Sequence, residues 1–93
     1  MIKNFLDKET EKLYIRGRSR KFPPEIWDRA VRKLDMLRRA KTLEDLKAPP
    51  SNRLEALKGD LKGFYSIRIN DQYRIIFRFE HGDAYDVAIV DYH

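Results

Sequence analysis

The amino-acid sequence predicts an α+β domain in which an N-terminal strand and two to three helices pack on one face of a mostly antiparallel, twisted sheet. Three observations carry this expectation. Apolar residues recur at helical spacing after Pro23-Pro24, the period changes to two from Tyr65 onward, and turn-forming residues separate the alternating runs. The chain has 93 residues, enough for one domain spanning 1–93. A domain of this size buries only about 60 to 65% of its unfolded surface, which limits it to a single two-layer core.

The elements follow in order. Ile2 to Leu6 reads as a short strand, and Asp7 then offers a side-chain oxygen to cap a helix from Lys8 to about Arg16, which Gly17 ends. Arg16 to Lys21 is a basic loop, either solvated or in contact with an anion. Pro23-Pro24 opens the main helix, because proline's missing N–H is harmless in a first turn. Trp27, Ala30, Val31, Leu34 and Leu37 form its apolar stripe, whereas Asp28, Arg29, Arg32, Lys33, Asp35 and Arg39 fall on the solvated side. Thr42 followed by Asp45 is a capping box for one more turn, which Pro49-Pro50 closes.

From Arg53 the pattern is that of strands. One runs toward Lys58-Gly59-Asp60, where glycine permits a sharp turn. Tyr65, Ile67 and Ile69 alternate with polar residues, as do Tyr73, Ile75, Phe77 and Phe79. Residues facing one another across a hairpin share a face, so Ile67 opposes Ile75, and the loop has the odd length of Asn70-Asp71-Gln72. Asn and Asp tolerate the left-handed backbone expected there. His81-Gly82-Asp83 makes a second turn before a final strand, Ala84 to Val90. His81 reads as a turn residue and Trp27 as a core anchor.

Twenty Lys and Arg against fifteen Asp and Glu give a net charge of +5. A small basic domain attracts polyanions, and nucleic acid is the leading class of partner. There is no cysteine and only two histidines, so neither a disulfide framework nor a zinc site is expected, and the chemistry should need no cofactor. Neither a signal-peptide core nor the ~20-residue apolar run of a membrane span is present, so a cytoplasmic protein without a membrane partner is expected.

If Tyr65, Ile67, Ile69, Ile75 and Phe77 lie under the helices, Arg68, Arg74 and Arg78 share the opposite face. Arg68 then sits across from Arg74, and such facing like charges are destabilising unless an anion lies between them, which points to phosphate. Arg78 is more simply a partner of Asp86 or Glu80 in a surface ion pair. Lys58, at a strand end, has the point charge of a phosphate ligand. Glu55 shares that strand, and strict alternation puts the two on opposite faces unless the strand twists or bulges. The last three residues, Asp91, Tyr92 and His93, form either a solvated tail or a proton-transfer group.

Three segments together resemble the HigB branch of the RelE/ParE toxin superfamily: Pro49 through Leu57-Lys58-Gly59-Asp60, Tyr65 through Tyr73-Arg74-Ile75, and Val90-Asp91-Tyr92-His93. The likeness covers essentially the whole chain. It implies a RelE-like (microbial-RNase-like) fold and the toxin of a type II toxin–antitoxin pair, which enters the ribosomal A site and cleaves mRNA. It also implies a cognate HigA-like helix-turn-helix antitoxin, with DNA reached only through that partner. Family roles fall on Lys58, Arg74, Asp91, Tyr92 and His93. Several relatives carry a histidine where this chain has Glu55, so either the catalytic set is incomplete and the enzyme slow, or Glu55 supplies the base.

RNA without a metal is best cleaved by its own 2′-hydroxyl. The expected roles are His93 as general acid or base, Asp91 and Tyr92 orienting it or the substrate, and Lys58 and Arg74 stabilising the phosphorane. Arg68, Arg78 and the loop residues Arg18, Arg20 and Lys21 are expected to meet RNA or ribosome backbone. The competing expectations are a ParE-like protein that inhibits DNA gyrase without chemistry and a non-catalytic RNA-binding module. The Asp-Tyr-His ending argues against both.

Overall fold

In the computed structural model, which describes residues 1–92, four antiparallel strands lie in the order β1-β2-β3-β4: Glu55–Ala56, Tyr65–Arg68, Tyr73–Glu80 and Asp83–Asp91. Two helices, α1 (Lys8–Arg16) and α2 (Trp27–Arg39), cover one face. Between them and the sheet lies the main core. Leu13, Ile26, Leu34 and Leu37 of the helical layer meet Ile67, Ile75, Phe77 and Val87, and none of these is more than 2% exposed. A smaller cluster occupies the other face, where Leu57, Leu61 and Phe64 fold over Ile76, Ala88 and Val90.

The first helix starts and stops as the sequence predicts, whereas the main helix begins at Trp27, after a 3₁₀ turn, rather than at Pro23-Pro24. Asp7 accepts a hydrogen bond from the Thr10 N–H at 2.7 Å, and Gly17 ends α1 with a left-handed φ of 77° that a side chain would strain. Pro24–Ile26 forms a 3₁₀ turn ahead of α2. Thr42 and Asp45 make the expected capping box for a second 3₁₀ turn, Leu43–Lys47, and Pro50–Asn52 makes a third. Lys33 departs from expectation. It is buried, because its ammonium donates to Asn52 Oδ1, and the Asn52 amide in turn donates to the carbonyl of Leu46 at 3.1 Å.

The β2–β3 register is the one that side-chain parity requires, with Ile67 opposite Ile75 and Arg68 opposite Arg74. The loop conformation differs. Neither Asn70 nor Asp71 adopts a left-handed backbone; instead Asn70 Oδ1 accepts from the N–H groups of Gln72 and Tyr73, so a side chain closes the turn. The β3–β4 turn is shorter than expected. His81 and Gly82 both have positive φ and make a two-residue connection, with Glu80 already paired to Asp83. β1 is reduced to two residues because Arg53 is left-handed (φ 45°) and another 3₁₀ turn, Gly59–Leu61, starts soon after.

β4 would otherwise leave one edge open, and the N-terminus closes it. Residues 2–6 do not form the expected regular strand; they make two isolated parallel bridges, Ile2 to Ala84 and Phe5 to Val87. Between these bridges β4 bulges, with Asp86 left-handed (φ 53°), and Asn4 clamps the bulge by accepting from the Asp86 N–H and donating to its carboxylate. Further along, the hydroxyl of fully buried Thr10 accepts from the Ile89 N–H at 3.0 Å and donates to Asp7. Thr10→Val conserves volume but orphans that N–H. It should lower stability by about 1–3 kcal/mol in urea denaturation, whereas Thr10→Ser should recover most of the loss.

Candidate active site

Arg74 stands near the middle of the sheet face that the helices leave uncovered, yet it is only 6% exposed. Three neighbouring segments supply its environment. Ser66, small enough to leave room for a long side chain, lies diagonally across on β2 and accepts from Arg74 Nε at 2.8 Å. The left-handed turn at Arg53 aims a carbonyl at Arg74 Nη2, 2.6 Å away, and Nη2 also lies 3.4 Å from the Ser66 carbonyl. Glu55 on β1, paired with Ser66, places Oε1 3.2 Å from the same Nη2. The Tyr92 ring covers the guanidinium at 5.4 Å. Burial lowers the Arg74 pKa from the usual guanidinium value, while Glu55 and then Tyr92 act in the opposite direction.

Arg74 was expected to be an outward-facing surface residue, and the structure corrects this. Alternation correctly assigns its face, but the Arg53 turn and Glu55 wall it in. The facing arginines find their anions within the chain, Glu55 for Arg74 and Asp71 for Arg68, so their juxtaposition does not itself demand phosphate. Arg78 pairs with Asp86 at 3.4 Å, as the sequence reading favoured, and stacks on Phe64 at 4.4 Å. That stack needs Gly63, where a Cβ would stand 2.8 Å from Arg78 Nη1. Ile76 separates Arg78 from Arg74 along β3, and four residues of strand span roughly 13 Å.

The other sequence-expected residues divide. Tyr92 joins Glu55 and Arg74. Asp91 pairs with Tyr73 and accepts from Gln72 Nε2 at 3.0 Å, while the Tyr92 N–H donates to the Gln72 carbonyl at 2.6 Å, so the β2–β3 turn anchors the end of β4. His93 lies outside the described residues. Lys58 is exposed at the start of the Gly59–Leu61 turn, in an extended conformation that keeps it one step out of phase with Glu55 and Leu57. Arg18 and Arg20 line a cleft of about 600 Å³ in the helical layer with Lys12, Arg16 and Trp27. Lys21 follows them in the same α1–α2 loop, its ammonium 5.9 Å from the Phe22 ring centroid. Sequence reasoning missed Ser66 and the Arg53 carbonyl. The first had a signal, because the derived register already made Ser66 the diagonal neighbour of Arg74.

An antiparallel sheet with two helices on one face is a fold shared with RelE/YoeB-like toxins. The whole chain superposes on 95% of a chain in the YoeB–YefM complex from Staphylococcus aureus, with a TM-score of 0.62 and 19% identity. A solution structure from Helicobacter pylori, HP0894, matches over 95% of this chain and 89% of its own, with a TM-score of 0.51 and 18% identity. Sequence defines the family more narrowly. Residues 3–93 match the family model described as the RelE-like toxin of type II toxin–antitoxin system HigB, and the chain belongs to that family. It is 45% identical to Toxin HigB-1 of Vibrio cholerae serotype O1 over 85 residues, 90% of either chain. It is 34% identical to Endoribonuclease HigB of Proteus vulgaris over 93 residues, the full length of both.

Removing the Arg74 guanidinium leaves a cavity and unpaired acceptors on Ser66 and Arg53. Arg74→Ala should therefore lower stability by about 1–3 kcal/mol in chemical denaturation, well beyond the ±0.5 kcal/mol usual for a surface change. A midpoint equal to wild type would mean that the guanidinium is not buried as described.

Proposed function

We propose that this HigB-family toxin is an endoribonuclease that cleaves ribosome-bound mRNA in the A site by attack of the RNA's own 2′-hydroxyl. One observation carries the reading. A guanidinium oriented by Ser66 and the Arg53 carbonyl has a half-exposed carboxylate beside it and a tyrosine ring across it. Fixed donors aimed at a phosphate need no reorganisation as charge develops on the phosphorane oxygens, which is the usual source of large electrostatic stabilisation. The full-length likeness to a protein named as an endoribonuclease supports the same reaction class.

In this mechanism Glu55 takes the proton of the 2′-hydroxyl as the 2′-oxygen bonds to phosphorus, and Arg74 holds the non-bridging oxygens. The bond from phosphorus to the 5′-oxygen breaks as His93 protonates that oxygen, leaving a 2′,3′-cyclic phosphate and a 5′-hydroxyl. Tyr92 positions the scissile nucleotide against Arg74, and Asp91 holds the strand end through Gln72. Lys58, Arg78 and the loop residues Arg18, Arg20 and Lys21 meet backbone phosphates of mRNA or ribosome. Because positioning can supply about 7–11 kcal/mol, a sparse set of catalytic groups can rely on the ribosome to align the substrate. A HigA-like helix-turn-helix antitoxin is the partner that would restrain the toxin, and contact with DNA would come only through it.

Glu55→Gln keeps a polar partner for Arg74 but loses proton affinity, so cleavage of ribosome-bound mRNA should fall by about 10² to 10⁴. His93→Gln should cost a comparable factor and flatten one limb of the pH–rate profile. Wild-type rates in both variants, or gyrase inhibition by purified protein without any RNA cleavage, would overturn the reading.

A further inference from the structure

Four cations converge on a second cleft, beside the Arg74 site and around the edge of the sheet. Arg29, Arg32 and Lys33 of α2 line it with Met36, Ser51, Arg68 and Ile69, enclosing about 420 Å³. β1 begins too late in the chain to pair with β2 beyond Ser66, so Arg68 lies on an unpaired stretch of edge, where the Pro50–Asn52 turn packs and the cleft meets α2.

The cleft is built, and no carboxylate lines it. Arg29 Nη1 donates to the Ile69 carbonyl at 3.3 Å, tying α2 to the end of β2, and the buried Lys33 ammonium is held by Asn52. Arg68 pairs with Asp71, whose side chain is 97% exposed. Among the described residues, none of the ion pairs involves Arg29, Arg32 or Lys33. The positive charge therefore stands largely uncompensated. Burial and the neighbouring Arg29, Arg32 and Arg68 all lower the Lys33 pKa from its ordinary value. An ordinary basic helix face spreads such charges into water, whereas here they line a concavity whose lining includes a buried lysine.

We propose that this cleft is a second phosphodiester-binding site, which seats the RNA backbone next to the nucleotide held at Arg74. The proposal rests on the RNA-cleaving reading and adds a path to it. Arg68 is the direct cross-strand partner of Arg74, so the two sites adjoin across the β2–β3 pair. A strand crossing the unpaired stretch of edge meets both. Guanidinium forks match phosphate oxygens in two-pronged geometry, and Lys33 adds a point charge. Continuity with Arg74 favours RNA over an acidic protein segment as the occupant.

The test uses the full chain and a short single-stranded oligouridylate. Arg29 and Arg32 are exposed, so an Arg29→Ala/Arg32→Ala double variant should fold, as a thermal melt will show. In the wild type, the arginine Nε–Hε NMR signals of Arg29, Arg32 and Arg68 should shift as RNA is added. Each phosphate contact contributes about 0.7 to the log–log salt slope of single-strand binding, so the double variant should bind more weakly, with a slope about 1.4 shallower. Unchanged affinity and slope would overturn the cleft, and if the wild type still cleaves RNA the catalytic reading survives alone. Unaltered RNA binding with weakened binding of purified antitoxin would assign the cleft to a protein and also overturn the proposal. Weaker RNA binding by the double variant, when even the wild type never cleaves RNA, would support the cleft and sink the catalytic reading instead.

Discussion

Taking a guanidinium out of water is among the costliest steps a small domain can make, and Arg74 is buried in the sheet. Such a charge is tolerated only where hydrogen-bond acceptors and a counter-ion surround it. Much of the local architecture can be understood from that requirement. Ser66 is a serine in an otherwise apolar-flanked strand, Arg53 accepts a left-handed backbone that disfavours side chains, and β1 is only long enough to set Glu55 opposite Ser66. What results is an oriented cation, held by these acceptors and covered by the Tyr92 ring. A mobile surface arginine would have to lose side-chain entropy each time it met a phosphate.

The two ends of the sheet are finished in different ways, and the difference bears on function. At β4 the edge is occupied from Ala84 to Ile89 by the N-terminal segment, the Asn4 clamp on the Asp86 bulge and the Thr10 hydroxyl, which blunts it against pairing. On the β2 side strand pairing stops at Ser66, and the unpaired stretch beyond it is bordered by arginines and a lysine. In the proposed reading, the cationic side is the direction from which a polyanion reaches the buried arginine.

Local chemistry was legible in the sequence wherever a rule depends on near neighbours. The Asp7 cap, the Gly17 stop and the Thr42–Asp45 box depend on residues three or four apart, and the Ile67–Ile75 register depends on parity alone. Alternation also put Arg74 on the correct face. It could not say whether Arg74 was covered, because the Arg53 carbonyl and Glu55 that wall it in are placed by a left-handed turn with no period to read. Lys33 escaped for a related reason: its burial depends on Asn52, 19 residues away in a 3₁₀ turn that proline punctuation marked only as an ending. The Asp86 bulge and the Arg53 turn place non-glycine residues at positive φ, which composition does not reveal.

The central claim is that Arg74 is a pre-oriented phosphate ligand whose resident counter-ion, Glu55, becomes the base when RNA arrives. A structure of the toxin on RNA whose scissile 2′-hydroxyl is replaced by hydrogen tests this most directly. The expected result is a phosphate oxygen about 2.7–2.9 Å from an Arg74 nitrogen, with Ser66 and the Arg53 carbonyl still engaged and Glu55 turned toward the 2′ position. A scissile phosphate bound elsewhere, with the Arg74–Glu55 pair undisturbed, would contradict it.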